Sequence, residues 1–418
     1  MGARSKTIFL NVLLLAVSTM AGLALCEVAA RALLEPPPGY VLYGQEGTDA
    51  HSSLLKTVSD PRLLTRIPPN APGHDERGFR NPGGRDAADV VVIGDSQTWG
   101  INAGRNDTWP SILEALSGMS VYSMALGGWG PIQYELVAHD ALALKPKAIL
   151  VGLYFGNDIF DSCNHAYGTD SYKRYRRPDA LVDSSLSDLH ARLKARDDQT
   201  RVDQAREYLA RMGGVTRMWQ ALARRSLVVQ ILMTRGFLPA VPSVDTLYEI
   251  VDAAWAGEHP EWASLYSRGD YSTVLTFGYR GTAVDLNNAC IREGVGITRE
   301  VLGSLRSLSL QSGVHIGVVF IPTKEVVYAT ADQSLRQHMN GEFQELFNHE
   351  NAIKRDLLSH CNELELVCVD AASWLTEAAQ NKVRLYRTDS DGHPIAGGYR
   401  QIAFAGLKAL ETMGALNK

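Results

Sequence analysis

DVVVIGDSQTWG, residues 89–100, decides the fold. Val90, Val91, Val92 and Ile93 form an unbroken β-branched run, the pattern of a strand buried on both faces. Gly94-Asp95 then ends the run as a turn. Two further strand-like runs follow at residues 120–125 and 147–155, the second leading into Gly156-Asn157-Asp158. Helical patterns at residues 109–116 and 133–144 separate the three. The alternation breaks and then resumes with a helix at 297–312, a strand at 314–321 ending at Pro322, a helix at 343–361, a strand at 364–370 and a last helix at 395–413. Strands alternating with helices predict an α/β fold of three layers, α/β/α, with a parallel central sheet.

Between residues 162 and 288 the pattern is mostly helices and irregular links. Residues 186–212 are highly charged, and residues 215–237 are amphipathic, with Trp219, Leu222 and Leu227 at apolar positions. This stretch is expected to be an insertion over one end of the sheet, as a lid or an oligomer surface. Residues 39–89, rich in Gly, Pro, Asp and Arg, are expected to form an irregular arm on the catalytic domain. The expected organisation is an N-terminal anchor at 1–36, an arm at 37–88, the sheet domain at 89–161 and 289–418, and a helical insertion at 162–288.

The N-terminus sets the compartment. Arg4 and Lys6 precede an apolar stretch from residue 8 to 25, in which Asn11, Ser18 and Thr19 are the clearly polar members. A spanning helix needs about 20 apolar residues, with a lower limit near 17. The stretch is therefore read as one transmembrane helix, its basic end in the cytoplasm and the rest of the chain outside. Leu25 stands where a lipoprotein box wants a small residue before Cys26, so an uncleaved anchor is the expectation. Pro36, Pro37 and Pro38 stop the helix.

The net charge of -5 leaves no broad basic field for nucleic acid. The local run Lys173, Arg174, Arg176 and Arg177 reads as a solvated face. Cys163, Cys290, Cys361 and Cys368 have no zinc or redox spacing. Outside the cytosol they form two disulfides, for which Cys163 with Cys290 and Cys361 with Cys368 is one of three pairings. Free buried thiols are the equal alternative.

Four short blocks carry chemistry. Ser96 follows a strand directly, where reactive groups of parallel sheets collect and where a helix N-terminus favours developing negative charge. Gly127-Gly128-Trp129-Gly130 follows the second strand, and its glycines let backbone N–H groups approach a ligand. Asn157 follows the third and is a side-chain donor for an oxyanion, or else a helix cap. Asp389-Ser390-Asp391-Gly392-His393-Pro394 precedes the last helix and pairs a histidine with carboxylates, as serine activation requires. Trp99, Trp129, Tyr154 and Phe155 flank these blocks, as sugar-stacking faces or as packing.

Ser96, Gly128, Asn157 and His393, in that order, resemble the four blocks of the SGNH (GDSL-type) hydrolase superfamily, whose fold is flavodoxin-like. The resemblance covers residues 89–160 and 297–413, and Gly78-Phe79-Arg80 and Ile321-Pro322-Thr323-Lys324-Glu325 are similar to membrane-anchored members. It implies a nucleophile at Ser96, a base at His393, and an oxyanion hole from Ser96, Gly128 (or Gly127) and Asn157. The family's aspartate usually lies three residues before the histidine, where this chain has Ser390. Asp391, at the spacing of some alginate-acetylating relatives, is favoured over Asp389 as the triad acid. Ala125 also replaces an asparagine frequent in the second block. The implied activity is ester hydrolysis or acyl transfer without metal or cofactor, on an acylated carbohydrate, with envelope polysaccharide machinery as partner. A lipase and a non-catalytic carbohydrate-binding protein of the same fold are the rival readings.

Overall fold

The computed structural model describes residues 3–33, 57–177, 182–196, 222, 226–234, 237–238, 244–269 and 271–416. Its centre is a five-stranded parallel sheet of β1 (Val90–Gly94), β2 (Val121–Ala125), β3 (Ala148–Tyr154), β4 (His315–Ile321) and β5 (Val367–Asp370). The strand order is β2-β1-β3-β4-β5, parallel throughout. Val90, Val91, Val92 and Ile93 have no exposed surface, as a central strand covered on both faces requires.

Seven helices matter here: α1 (Ala3–Leu33), α2 (Trp109–Ser117), α3 (Pro131–Ala141), α4 (Asp158–Gly168), α5 (Ala289–Ser312), α6 (Gly341–Glu363) and α7 (Ala396–Met413). α7 packs on α2, β4 and β5, while α5 packs on α3, α4 and α6. Right-handed crossovers put these two groups on opposite faces, which makes the three layers. The strand expected at 364–370 begins three residues later. Leu364 still caps α6, and Glu365 turns the chain at φ +53°.

The chain divides into two compact units. One comprises residues 1–46 and 203–248, and the other residues 47–202 and 249–418. This division falls inside the 162–288 stretch, not at its ends. In the first unit, Glu27 on α1 accepts from Ser226 Oγ at 2.7 Å and from the backbone N–H groups of Leu227 and Val228 at 2.9 and 3.2 Å. Its carboxylate thereby satisfies free donors at the start of the helix Leu227–Thr234. α1 is 31 residues long, about 46 Å at the standard rise. Among the described residues, no helix is long and apolar enough to cross a membrane. The side chains of residues 3–13, part of the expected anchor, lie outside the described set, as do residues 197–221 of the expected insertion helices.

In the second unit, residues 249–288 are not purely helical. Ser264–Arg268 and Tyr271–Leu275 form an antiparallel hairpin, followed by the short helix Phe277–Thr282. Val274, Leu275 and Phe277 are buried, so this part of the insertion has an apolar face to pack. Arg174, Arg176 and Arg177, expected as a solvated face, pair with Glu135, Asp170 and Glu293. Cys163 is bonded to Cys290 and Cys361 to Cys368.

Candidate active site

The site is built at the carboxyl ends of β1, β2 and β3. β1 ends at Gly94, which pairs with Ala125 on one side and Gly152 on the other. The chain turns at once into a single helical turn, Ser96–Trp99. Asp95 caps its start, accepting the Gln97 N–H at 2.8 Å, and Gly100 ends it at φ +91°. The turn sits so close to the sheet that only glycine fits at 94. A Cβ there would lie 2.1 Å from Thr98 Oγ1 and 3.0 Å from the Gly152 carbonyl oxygen. Arg80, from the arm, steadies the far end by donating to the carbonyls of Trp99, Gly100 and Ala103 at 3.0, 2.8 and 2.8 Å.

This turn presents Ser96 to the loop before α7. Ser96 Oγ lies 2.8 Å from His393 Nε2, and His393 Nδ1 lies 2.5 Å from Asp391 Oδ1. Asp391 Oδ1 also accepts the His393 backbone N–H at 2.9 Å. Its Oδ2 accepts from Asn102 Nδ2 at 3.0 Å, and the same amide reaches the His393 carbonyl at 3.2 Å. Burial would raise the Asp391 carboxyl. The facing His393, the hydrogen bonds from that residue and the Asn102 amide outweigh it and hold Asp391 well below the usual carboxylate range. Asp389 has other partners. It accepts from Arg387 Nε at 2.7 Å and from the Asp391 N–H at 3.0 Å, and burial pushes its carboxyl up against the opposing pull of Arg387.

Lys324 braces the loop from beneath. It is fully buried, and its Nζ donates to the carbonyls of Asp389 and Asp391 at 3.0 and 2.9 Å and to Thr273 Oγ1 at 3.2 Å. Thr273 belongs to the hairpin of the insertion and donates to the Arg387 carbonyl at 2.7 Å.

The donor side is equally local. A Cβ at Gly127 would sit 3.5 Å from Ser96 Cβ, and Gly128 follows at φ +81°, a conformation that favours glycine. Asn157 occupies the N-cap position of α4 without making a side-chain cap. Its Nδ2 instead donates to Asp161 Oδ2 at 2.7 Å. Asp95 and Asp158, fully buried, and Asp161, partly buried, lie close to it. Burial raises Asp95 against the Gln97 N–H, the His393 charge and the Asn157 amide, and it raises Asp161 to about 7. Asp158, buried beside Asp95, is pushed well above the usual range while it accepts from Tyr154 N and Tyr134 Oη, both at 2.8 Å.

Ser96, Asn157 and His393 of the four blocks therefore meet at one site in this chain. It matches no protein-family model, and no curated protein matches it. Solved structures similar to it include a lipolytic protein of the G-D-S-L family from Desulfitobacterium hafniense, at 12% identity and a TM-score of 0.35 over 77% of this chain and 98% of that one. Phospholipase A1 from Streptomyces albidoflavus is similar at 12% identity and a TM-score of 0.34, over 78% and 99%. An extracellular lipase from Streptomyces rimosus is similar at 11% identity and a TM-score of 0.31, over 78% and 100%. The chemistry of the site rests on its own distances.

Ser96, Asn157, Asp391 and His393 line one cavity of about 310 Å³. Tyr154, Thr276, Tyr279 and Arg280 complete much of its wall. Of the four aromatic residues expected near the site, Tyr154 alone lines this cavity. Trp99, Trp129 and Phe155 are core: Trp99 donates to His74, Trp129 to the Thr65 carbonyl, and Phe155 packs on Phe320. Asn102, Tyr279 and Arg280 carry no local signal in the sequence and reach the site through tertiary packing. Lys324 lies in a block noted for its resemblance, without a role attached to it. Among the described residues, no group of three or more His, Cys, Asp or Glu side chains is arranged to hold a metal ion.

Proposed function

We propose that this chain is a serine-dependent enzyme acting on esters through an acyl-Ser96 intermediate. The observation that carries the reading is the continuous relay from Ser96 Oγ through His393 to Asp391, at 2.8 and 2.5 Å. His393 Nε2 takes the Ser96 proton as Oγ attacks the ester carbonyl carbon. The carbonyl electron pair moves to oxygen, and the N–H groups of Ser96 and Gly128 and the Asn157 amide stabilise that oxyanion; one such donor is worth about 2.7–4 kcal/mol of barrier. The C–O bond to the alcohol then breaks, and the departing oxygen takes the proton from Nε2. Water or an acceptor hydroxyl, deprotonated by the same nitrogen, attacks the acyl-enzyme and frees Ser96. Asp391 stays ionised throughout, keeping the His393 proton on Nδ1.

The acyl group is short. A cavity near 310 Å³ is at the small end of ligand sites, and Asn157, Thr276, Arg280 and Ser390 make it polar. That favours an acetylated carbohydrate over a long-chain lipid. A membrane-anchored, extracytoplasmic placement is part of the same reading. It is supported by the apolar run at 8–25 behind Arg4 and Lys6. The two disulfides, expected in an oxidising compartment, support it as well. Substrates of the cell envelope follow from that placement.

The test uses the full chain in detergent with nitrophenyl esters of graded chain length, with and without an oligosaccharide acceptor. Acetate is expected to be the best acyl group, and Ser96→Ala to abolish turnover. Acyl product on the acceptor makes it a transferase, and free acetate alone an esterase. A preference for long chains would replace the carbohydrate substrate with a lipid. A folded chain with no Ser96-dependent turnover and no trapped acyl-enzyme would sink the catalytic reading in favour of a binding protein.

A further inference from the structure

The insertion contributes a cation to the Ser96 cavity that the relay does not use. Arg280 lies on the helix Phe277–Thr282 and shares the cavity wall with Ser96, Asn157 and His393. Its guanidinium carbon stands 5.2 Å from the Tyr279 ring centre and 5.7 Å from that of Tyr154. Its polar contact among the described residues is the Gly156 carbonyl, at the outer limit of 3.5 Å, and its Nε is buried without a partner. Tyr154, 2% exposed, also has a buried hydroxyl without a partner. Both groups approach the residue before His393. A Cβ placed on Gly392 would lie 2.7 Å from Arg280 Nη2 and 3.1 Å from Tyr154 Oη.

Other cations of this unit are differently placed. Arg80 spends its fork on three carbonyls, Lys324 spends its ammonium on two carbonyls and a hydroxyl, and Arg387 holds Asp389. The carboxylates whose fields reach Arg280, Glu325 and Asp391, are engaged by Thr276 and by His393 with Asn102. Burial works against the guanidinium charge, but the Glu325 and Asp391 carboxylates favour it, and a guanidinium stays protonated in proteins. A planar fork with an unfilled edge, beside a phenol that can donate, matches the paired oxygens of a carboxylate or phosphate.

We propose that Arg280 and Tyr154 form a subsite for an oxyanion carried by the substrate, so that the cavity selects esters of acidic sugars, bearing a carboxylate or a phosphate, over neutral ones. The proposal rests on the reading of Ser96 as nucleophile and adds the charge of what is brought to it. The insertion thereby brings the charge of the subsite, and β3 brings its phenol.

The full chain is assayed on three acetyl esters: O-acetyl galacturonic acid, its neutral methyl ester, and O-acetyl glucose 6-phosphate. The expected result is a kcat/KM on at least one acidic ester ~10-fold or more above the neutral one, the size of a charge-assisted hydrogen bond. The carboxylate and phosphate arms rank the two oxyanions. Arg280→Met should erase this ratio, Arg280→Lys should keep part of it, and Tyr154→Phe should reduce it severalfold, mainly through KM. A wild type indifferent to charge, or a ratio that survives Arg280→Met in a chain that melts normally, overturns the subsite. If no ester is turned over at all, the nucleophile reading has failed separately. Calorimetric titration with galacturonate and glucose 6-phosphate then decides the subsite alone: binding lost in Arg280→Met supports it, and binding that is absent or unchanged refutes it.

Discussion

Replacing Asp391 by asparagine should cost far more than the loss of one charge, because Asn102 removes the means of adapting. Asp391 Oδ1 accepts from both the ring and the backbone nitrogen of His393, while Oδ2 accepts from Asn102 Nδ2. An asparagine can keep its oxygen toward His393 only by turning its NH2 against the Asn102 NH2, donor against donor, or by making Asn102 flip and set its own amide oxygen against the His393 carbonyl. The opposite flip satisfies Asn102 but sets an NH2 against Nδ1 and drives the ring proton to Nε2. Nε2 then cannot accept from Ser96, 2.8 Å away. Trapping the wrong tautomer in a serine triad costs about 10⁴ in kcat, and kcat here should fall by about 10³–10⁴. The double variant Asp391→Asn with Asn102→Asp gives the new NH2 an acceptor and should recover about tenfold. Recovery stays partial because the new carboxylate faces the His393 carbonyl that Asn102 now serves. Asp389→Asn, two residues away and paired with Arg387, should lose less than about tenfold. The assay is nitrophenyl acetate hydrolysis by the full chain, with a thermal melt to confirm folding. Near-normal kcat in Asp391→Asn, or a collapse in Asp389→Asn alone, would refute the reasoning.

Lys324→Met should orphan the Asp391 carbonyl, at a cost of about 1–3 kcal/mol, and take one of several partners from the Asp389 carbonyl and the Thr273 hydroxyl, with Tm lowered and kcat reduced more than KM is raised; melts and rates on one preparation check it, and an unchanged kcat would mean that the His393 loop holds itself. Glu350 is raised to about 7, first by burial and then by Glu325, against the Thr323 hydroxyl and N–H and the Lys354 charge. The native chain therefore holds this proton where the unfolded chain, titrating near 4.5, has released it, and the site loses stability as pH rises from about 4.5 to about 7. His165, lowered to about 4 by burial, works in the opposite direction over part of that window, so the readout is a difference. Urea melts at pH 5 and pH 8 should show Glu350→Gln gaining on wild type at the higher pH, and a difference constant with pH would contradict the assignment.

The five strands were legible because each is a short, mostly apolar run, a signal that depends on nothing distant. The ends of β1 and β3 were legible for the same reason, and with them Ser96 and Asn157. The hairpin Ser264–Arg268 with Tyr271–Leu275 was not, because its strands are short and one of them is held by Thr273 bonding to the Arg387 and Asp389 carbonyls, over a hundred residues away. Asp389 and Asp391 were hard to separate for a similar reason. Spacing offered both, and what distinguishes their geometry is that Arg387 takes one carboxylate and Asn102 the other. Arg280 had no signal of its own, since a single arginine in a helical stretch looks like surface until its neighbours are known. The cysteines show a further limit: order along the chain allowed three pairings, and proximity in space chose one.

The bond between Cys163 and Cys290 spans 127 residues of sequence, yet the Cα atoms are 5.7 Å apart. The chain between them therefore starts and finishes at one narrow gate, although its first and last stretches belong to the same compact unit as the sheet. Arg280 and Tyr279 lie inside the gate, whereas Ser96, Asn157 and His393 lie outside it. Selection, or an engineer, can thus change which molecules are admitted through positions such as Arg280 without touching the relay, so long as Thr273 keeps its hold on the Arg387 and Asp389 carbonyls.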